Sequence, residues 1–327
     1  MANIRPTLRK ATSLLRYLNS PHRAHSTSVS ADELSHFSSL ASSWWDPMGP
    51  SRVLHLMNPL RHDFIASCLF DSLPPPRASA PETSTPPPVN NLRYLDVGCG
   101  GGIFAESLAR TIPTTANSPS QTVTQAASIT AIDPTSALIK IARDHARTDP
   151  KVEAHLRDGK FTYKNCTLED VVASLRETPE DEKFDIVTLF EVLEHVDSNA
   201  ASSPLAFLTN CLRVLRPGGW LVGSTIARTF PSFLVNQVIA EAPWPIGVVP
   251  RGTHEWSKFV NPDELHAWAQ EGLMRSQDGA ALRAGGDALQ GMRWKCSGVM
   301  YFPGIGWKLV PGSENWGNYF WAIRKGL

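Results

Sequence analysis

The sequence predicts an α/β fold: a doubly wound, mostly parallel sheet with helices on both faces. Two observations carry the prediction. Between residues 93 and 225 short apolar runs alternate with helical patterns, the order that builds parallel strands joined by crossover helices. The first of those runs, Tyr94-Leu95-Asp96-Val97, leads straight into Gly98-Cys99-Gly100-Gly101-Gly102. Glycines in a strand-to-helix turn let the backbone approach a ligand where a Cβ would stand in the way. A turn of this kind marks the nucleotide-binding crevice of such a sheet.

Taken in order, Asp32 to Trp45 reads as a helix, followed by Trp44-Trp45-Asp46-Pro47 and a turn at Gly49-Pro50. Asn58-Pro59 reads as an N-cap and a first helical residue, opening a helix to about Phe70. The proline-rich insertion 74–91 has the composition of a segment that forms no packed element. Strands are expected at 93–97, 128–132, 161–165, 184–189 and 219–225, with helices near 102–110, 135–147, 168–176 and 203–215. Pro217-Gly218-Gly219 would end the last helix and turn the chain into the fifth strand. Ser297 to Ile323 has strand character and would close the sheet. The boundaries that follow are a leader over 1–30, N-terminal helices over 31–73 belonging to the catalytic domain, and the sheet domain over 92–327. Within that domain 113–127 is a polar insertion, and 229–250 is an apolar insertion after the fifth strand.

Composition narrows the function. Overall charge is zero, but residues 1–30 carry Arg5, Arg9, Lys10, Arg16 and Arg23 with no acid. Ile4, Leu8, Leu15 and Leu18 fall on one helical face, so the stretch resembles a mitochondrial presequence; a basic tail is the rival reading. Without those five, the 31 basic residues fall to 26 against 31 acidic, a net charge of −5. That sign disfavours nucleic acid as a partner. The five cysteines are scattered and never in C-x-x-C spacing, so neither a disulfide framework nor a zinc-thiolate site is expected.

The glycine turn itself excludes ligands. A dinucleotide fingerprint needs a third glycine where Ile103 stands, and a phosphate loop needs a lysine that is absent between Arg93 and Lys140. What remains, Asp96-x-Gly98-x-Gly100-Gly101-Gly102, resembles the first motif of the class I S-adenosylmethionine (SAM) methyltransferases. Asp133, ending the run Ser128 to Ile132, is placed to accept hydrogen bonds from both ribose hydroxyls. It also reads as a helix cap before Pro134. It lies 35 residues beyond Gly98, against roughly 20 in a compact unit, and the insertion near Pro113 to Gln125 accounts for the excess.

After the fourth strand comes Phe190-Glu191-Val192-Leu193-Glu194-His195-Val196. If it is helical at ~100° per residue, Glu191, Glu194 and His195 share one face. Two carboxylates and an imidazole beside the crevice suit Mg²⁺, Mn²⁺ or Zn²⁺, which would help ionise a catechol-like oxygen. The same residues serve equally well to cap the strand or line the pocket.

Several blocks together resemble the ubiquinone biosynthesis O-methyltransferase family. They are Trp44-Trp45-Asp46-Pro47, Asn58-Pro59-Leu60-Arg61, Leu95-Asp96-Val97-Gly98-Cys99-Gly100, Glu191 to Val196, and Gly252-Thr253-His254. The resemblance spans most of 32–327, departs at the two low-complexity insertions and is loose in the C-terminal third. It implies SAM-dependent O-methylation of a polyprenyl-dihydroxybenzoate and a demethylubiquinol. It also implies peripheral attachment at the matrix face of the mitochondrial inner membrane, in a complex with other enzymes of the pathway. By the same resemblance Arg61, Gly98, Asp133 and Phe190 are cofactor-binding, and Gly100 of the glycine turn is expected beside them. Arg61 would clamp the methionine carboxylate and Phe190 would pack on the adenine. Glu191, Glu194 and His195 would hold a divalent cation, Mg²⁺ first, and His254 is the candidate base.

Thr229 to Pro250 holds a single charge, Glu241, and is flanked by Arg228, Arg251 and Lys258. Pro231, Pro243 and Pro245 and its short length exclude a membrane span. It reads either as an interfacial segment whose basic flanks meet anionic headgroups or as a lid packed on its own protein. Two rival functions stay open: methylation of carbon or of another small phenol, and a non-catalytic subunit that keeps the fold.

Overall fold

The computed structural model describes residues 28–49, 51–72, 91–114, 122–175, 179, 182–197, 203–242, 255–276, 289–302 and 304–326. Most of the leader, nearly all of the proline-rich insertion, part of 113–127, residues 243–250 and His254 lie outside the described residues.

Eight strands form one sheet: β1 (Leu92–Val97), β2 (Ala126–Asp133), β3 (Phe161–Asn165), β4 (Phe184–Phe190), β5 (Leu215–Ile226), β6 (Arg293–Phe302), β7 (Gly306–Val310) and β8 (Asn318–Arg324). Their spatial order is β3-β2-β1-β4-β5-β8-β6-β7. The first five are parallel, and β8 runs antiparallel between β5 and β6. The C-terminal strand character is thus resolved into a hairpin and a strand that inserts beside β5.

Successive side chains on a strand point to opposite faces, and here both faces are covered. Tyr94, Trp220 and Phe320 pack on one side under α2 (Arg52–Phe70), α3 (Ile103–Ala109), α4 (Ser136–Ala146) and α5 (Pro150–Arg157). Leu95, Leu221 and Trp321 pack on the other under α6 (Leu168–Ser174), α7 (Pro204–Val214) and α9 (Pro262–Ser276). This two-sided burial explains the nearly continuous apolar runs in the sequence. The remaining helices are α1 (Ala31–Leu40), which continues as a 3₁₀ turn Ala41–Ser43, and α8 (Phe230–Ser232), which continues as a π-helix Phe233–Ile239.

Four expectations need correction. The second helix begins at Arg52, and Pro59 lies inside it rather than at its start. Asn58 is no N-cap; its buried side chain donates to the Ile103 carbonyl at 3.1 Å and accepts from Arg61. Helices α5 and α9 were not anticipated, although Asp149-Pro150 is an N-cap with proline at the first turn. Pro217-Gly218-Gly219 falls within the span of β5, next to the register shift opposite Phe184 and Ile186, rather than ahead of it. Glu191 to His195 is not a helix. Glu191 takes a left-handed φ of 56°, and only Leu193–His195 forms a 3₁₀ turn.

Strand order reverses between β1 and β4, so the crevice opens at the carboxyl ends of β1, β2 and β4. Gly98 turns the chain there with φ of +69°, and a Cβ would lie 2.7 Å from Val192 Cγ2 on the turn after β4. Gly98→Ala is therefore expected to destabilise the fold by about 1–3 kcal/mol. Adding Val192→Ala should restore the steric share and leave the backbone share. Thermal melts of both variants measure this; an unchanged melting temperature in the single variant would refute the constraint.

Candidate active site

A cavity of about 520 Å³ occupies this crevice, and Arg61, Asp96, Gly98, Gly100, Asp133, Phe190, Glu191, Glu194 and His195 all line it. Every predicted site residue except His254 therefore meets in one place, supplied by α2 and by the turns after β1, β2 and β4.

Arg61 projects from α2, only 3% exposed. Its Nη1 donates to Asn58 at 3.1 Å, its guanidinium lies 4.9 Å from the Phe190 ring centroid, and its buried Nε has no protein partner. Burial lowers its pKa to about 10, against the pull of Glu191 and Asp96. A buried guanidinium with a spare donor fits a carboxylate ligand, which completes its fork. Phe190 accordingly sides with Arg61. Its ring meets Phe104 edge-on at 4.7 Å, across β1 from Asp133 rather than beside it.

Asp133 closes β2 ahead of Thr135, which is the N-cap of α4 in its place. Its Oδ1 accepts from the Thr135 amide at 2.8 Å and its Oδ2 from the Gly100 amide at 3.0 Å. Each oxygen keeps a lone pair for a ribose hydroxyl. Asp96, at the end of β1, accepts from Thr188 at 2.6 Å through Oδ1, while Oδ2 is buried without a partner. Burial raises its pKa to about 7. This pair of orphaned groups, a cationic donor and an anionic acceptor in one cavity, fits a zwitterionic amino-acid ligand carrying a ribose.

Glu191, Glu194 and His195 reach the same cavity but are engaged elsewhere. Glu191 accepts from Ser224 at 2.6 Å and from Asn318 at 3.4 Å; Glu194 accepts from Thr225 at 2.9 Å. His195 pairs with Glu33 at 3.3 Å. Burial, with Glu191 nearby, raises the Glu194 pKa to about 7. Among the described residues no three His, Cys, Asp or Glu side chains are grouped to hold a metal ion. The helical arc that would have joined these three is broken by the left-handed Glu191.

The sequence reading missed the cover. Trp44 packs over the glycine turn, its ring 2.7 Å from where a Gly100 Cβ would be. Trp45 donates to the Gly101 carbonyl at 2.8 Å and stacks on His145 with centroids 3.4 Å apart. Phe37 meets His195 edge-on at 4.9 Å. The adjacent tryptophans were a usable signal, since two such side chains beside a turn rarely stay solvated.

Two predictions follow from these contacts. Arg61→Met should weaken SAM binding at least tenfold by calorimetry, because the carboxylate loses a charge-assisted fork. Equal SAM affinity would exclude the clamp. For the cover, hydrogen bonding from His195 depresses the Glu33 pKa from 4.5 to about 2. On His195, burial acts to lower the pKa, but Glu33 and the neighbouring carboxylates raise it above 6.5 overall. The carboxylate's contribution is complete above pH 4.5 and lost towards pH 2, and the imidazole's is lost as pH rises through its raised value. Glu33→Gln should cost about 1–3 kcal/mol near pH 6, with the difference shrinking on either side. A difference that stays flat with pH in denaturant titrations would overturn the pairing.

Comparison with known proteins identifies the family. A family model described as a methyltransferase domain matches residues 63–272. The mitochondrial ubiquinone biosynthesis O-methyltransferase of Candida albicans is 34% identical, over 91% of this chain and 86% of that protein. Ubiquinone biosynthesis O-methyltransferases of Cereibacter sphaeroides and Alkalilimnicola ehrlichii are 35% and 34% identical, over 73% and 76% of this chain and 81% and 80% of their own length. With the glycine turn, Asp133 and Arg61 converging on one cavity, the chain belongs to the ubiquinone biosynthesis O-methyltransferase family, enzymes that use SAM as methyl donor.

Proposed function

We propose that the chain methylates ring hydroxyls of polyprenylated catechol intermediates, a polyprenyl-dihydroxybenzoate and a demethylubiquinol, in mitochondrial ubiquinone synthesis. The observation that carries the reading is the buried, incompletely paired Arg61 opening into the same cavity as Asp133 and the glycine turn. Family membership then names the acceptor class. SAM supplies an electrophilic methyl on a sulfonium. Arg61 holds its carboxylate and Asp133 its ribose hydroxyls, while Phe104, Phe190 and the Trp44 cover keep water from the reacting atoms. The carbon–sulfur bond breaks as the carbon–oxygen bond forms, in line, and the ring hydroxyl gives up its proton. His254 is the candidate base from sequence.

The apolar segment after β5 supports peripheral membrane contact. On its outer side Phe230 is 74% exposed, and Leu234 and Val238 are 44% and 46% exposed. Of its basic flanks, Arg228 is paired with Glu264 at 2.8 Å and Lys258 with Glu33 at 3.1 Å. Apolar insertion, more than those two charges, would carry the contact. Leu234→Asp with Val238→Asp should abolish flotation with liposomes; equal flotation of variant and wild type would remove the membrane from the proposal.

Mg²⁺ enters as a separate proposal, supported by two carboxylates in one cavity, and no step above uses it. Mn²⁺ titration followed by electron paramagnetic resonance should show one saturable site lost in Glu191→Gln; no saturable binding would dismiss it. The decisive test of function is methyl transfer from labelled SAM to a prenylated catechol acid and to a demethylubiquinol. Transfer to neither would refute the assignment.

A further inference from the structure

The cavity wall does not end at the crevice. On one side it includes Val235 and Ile239 of the π-helix, and elsewhere Tyr301 at the end of β6 and Trp316 in the loop before β8. These side chains are not sealed inside. Val235 is 45% exposed, Ile239 46% and Trp316 59%, so they form a rim shared by the cavity and the surface. On the adjoining β6–β7 turn, Phe302 is 37% and Ile305 69% exposed. Neither stretch carries a charge: residues 233–240 and 299–307 contain no Asp, Glu, Lys or Arg. Exposed apolar side chains on the rim of a ligand cavity are the setting of a binding groove.

The π-helix accounts for how one segment serves both places. Its wider turn, closed by the Ala240 amide on the Val235 carbonyl at 2.9 Å, sets Val235, Asn236, Ile239 and Ala240 along the cavity. Leu234 and Val238 remain outside that wall. Such single-turn π segments recur at functional sites. Asn236, only 7% exposed, ties the segment back to Ser232 at 3.2 Å.

We infer that this rim is the seat of the acceptor's isoprenoid chain, which leaves the cavity between the π-helix and the β6–β7 turn. The inference rests on the proposed reaction and adds to it where the chain is recognised. The occupant follows from size and chemistry. A cavity of about 520 Å³ that takes the methyl donor and an aromatic ring has no space for a branched hydrocarbon of several units. A short water-soluble phenol would have no use for an uncharged exit. The groove makes the first one or two isoprene units specificity determinants, read by van der Waals contact and water exclusion.

The test uses three catechol acids bearing zero, one or two isoprene units, each below its aggregation limit and without detergent or vesicles. For wild type, kcat/KM should rise at least tenfold from zero to two units. In the double variant Phe302→Ser with Ile305→Ser, both outside the cavity wall, that rise should shrink below threefold, with the chainless acceptor within twofold of wild type. SAM affinity and melting temperature, measured alongside, should match wild type because both side chains are exposed. Wild-type rates indifferent to chain length would overturn the groove and leave the rim to a membrane or protein contact. A variant that slows all three acceptors equally would overturn it too. Methyl transfer to none of the three, from wild type, would instead refute the reaction on which the groove rests.

Discussion

The pairing of β1 with β4 is the constraint on which the site depends. It is parallel, in register from Tyr94↔Ile186 to Asp96↔Thr188, and fixed at its carboxyl end by the buried Thr188–Asp96 hydrogen bond of 2.6 Å. Strand order reverses across this pair, so the chain leaves β1 and β4 in diverging directions and opens a crevice between them. A slip of one residue would turn every side chain of β4 to the other face. Phe190 would then leave Arg61, and the turn beginning at Glu191 would point away from the crevice. The positive φ of Gly98 and of Glu191 are the two bends that the pairing forces on the chain. A non-glycine residue is held in that region only where its surroundings over-determine it. Glu191 is so held: its amide bonds to Ser224 at 3.2 Å and its carboxylate to Ser224 and Asn318.

Among the described residues that line the cavity, Arg61 is the only arginine or lysine. Arg61 is the buried guanidinium; Asp96, Asp133, Glu191 and Glu194 are the acids that line the same space. Burial raises the pKa of Asp96, Asp133 and Glu194, which lowers the cost of holding four carboxyl groups together in a poorly solvated place. A ligand with an anionic carboxylate at one point and a sulfonium at another is the complement of this pattern. Its carboxylate would satisfy Arg61, and a positive sulfur among these acids would favour their ionised forms.

Much of this was legible in the sequence where the signal is local. The glycine turn, Asp133 and the five parallel strands follow from apolar runs, turn residues and spacing, and each is found within a few residues of its expected place. The errors fall where tertiary contacts override local preference. Asn58-Pro59 has the form of a helix start, yet Val53, Leu54 and Met57 are already helical. Leu54 packs under Trp44's cluster, Met57 in the core, and the Val53 carbonyl accepts from Trp307 at 2.9 Å. A proline in the second turn removes one backbone bond, and packing over the whole 19-residue helix offsets it. The helical reading of Glu191 to His195 failed for the opposite reason. Nothing in the sequence shows that Ser224 and Asn318, from other strands, seize the Glu191 side chain.

The N-terminal cover explains why so few residues suffice for the site. Trp45 binds the glycine turn and His145, while Glu33 and Phe37 of the same segment meet His195, and Glu33 also binds Lys258 at 3.1 Å. One short segment therefore touches the cofactor turn at one end and the turn after β4 at the other. The sheet alone would leave the crevice open to water, in which a single guanidinium and a few carboxylates bind weakly and methyl transfer competes with hydration. Roofed by Trp44, the same groups act in a low-dielectric space where each charge interaction is several times stronger. The glycines at 100 and 101 then have a double purpose. They bring the backbone close to the ligand, and they leave the room that the Trp44 ring needs to close over it.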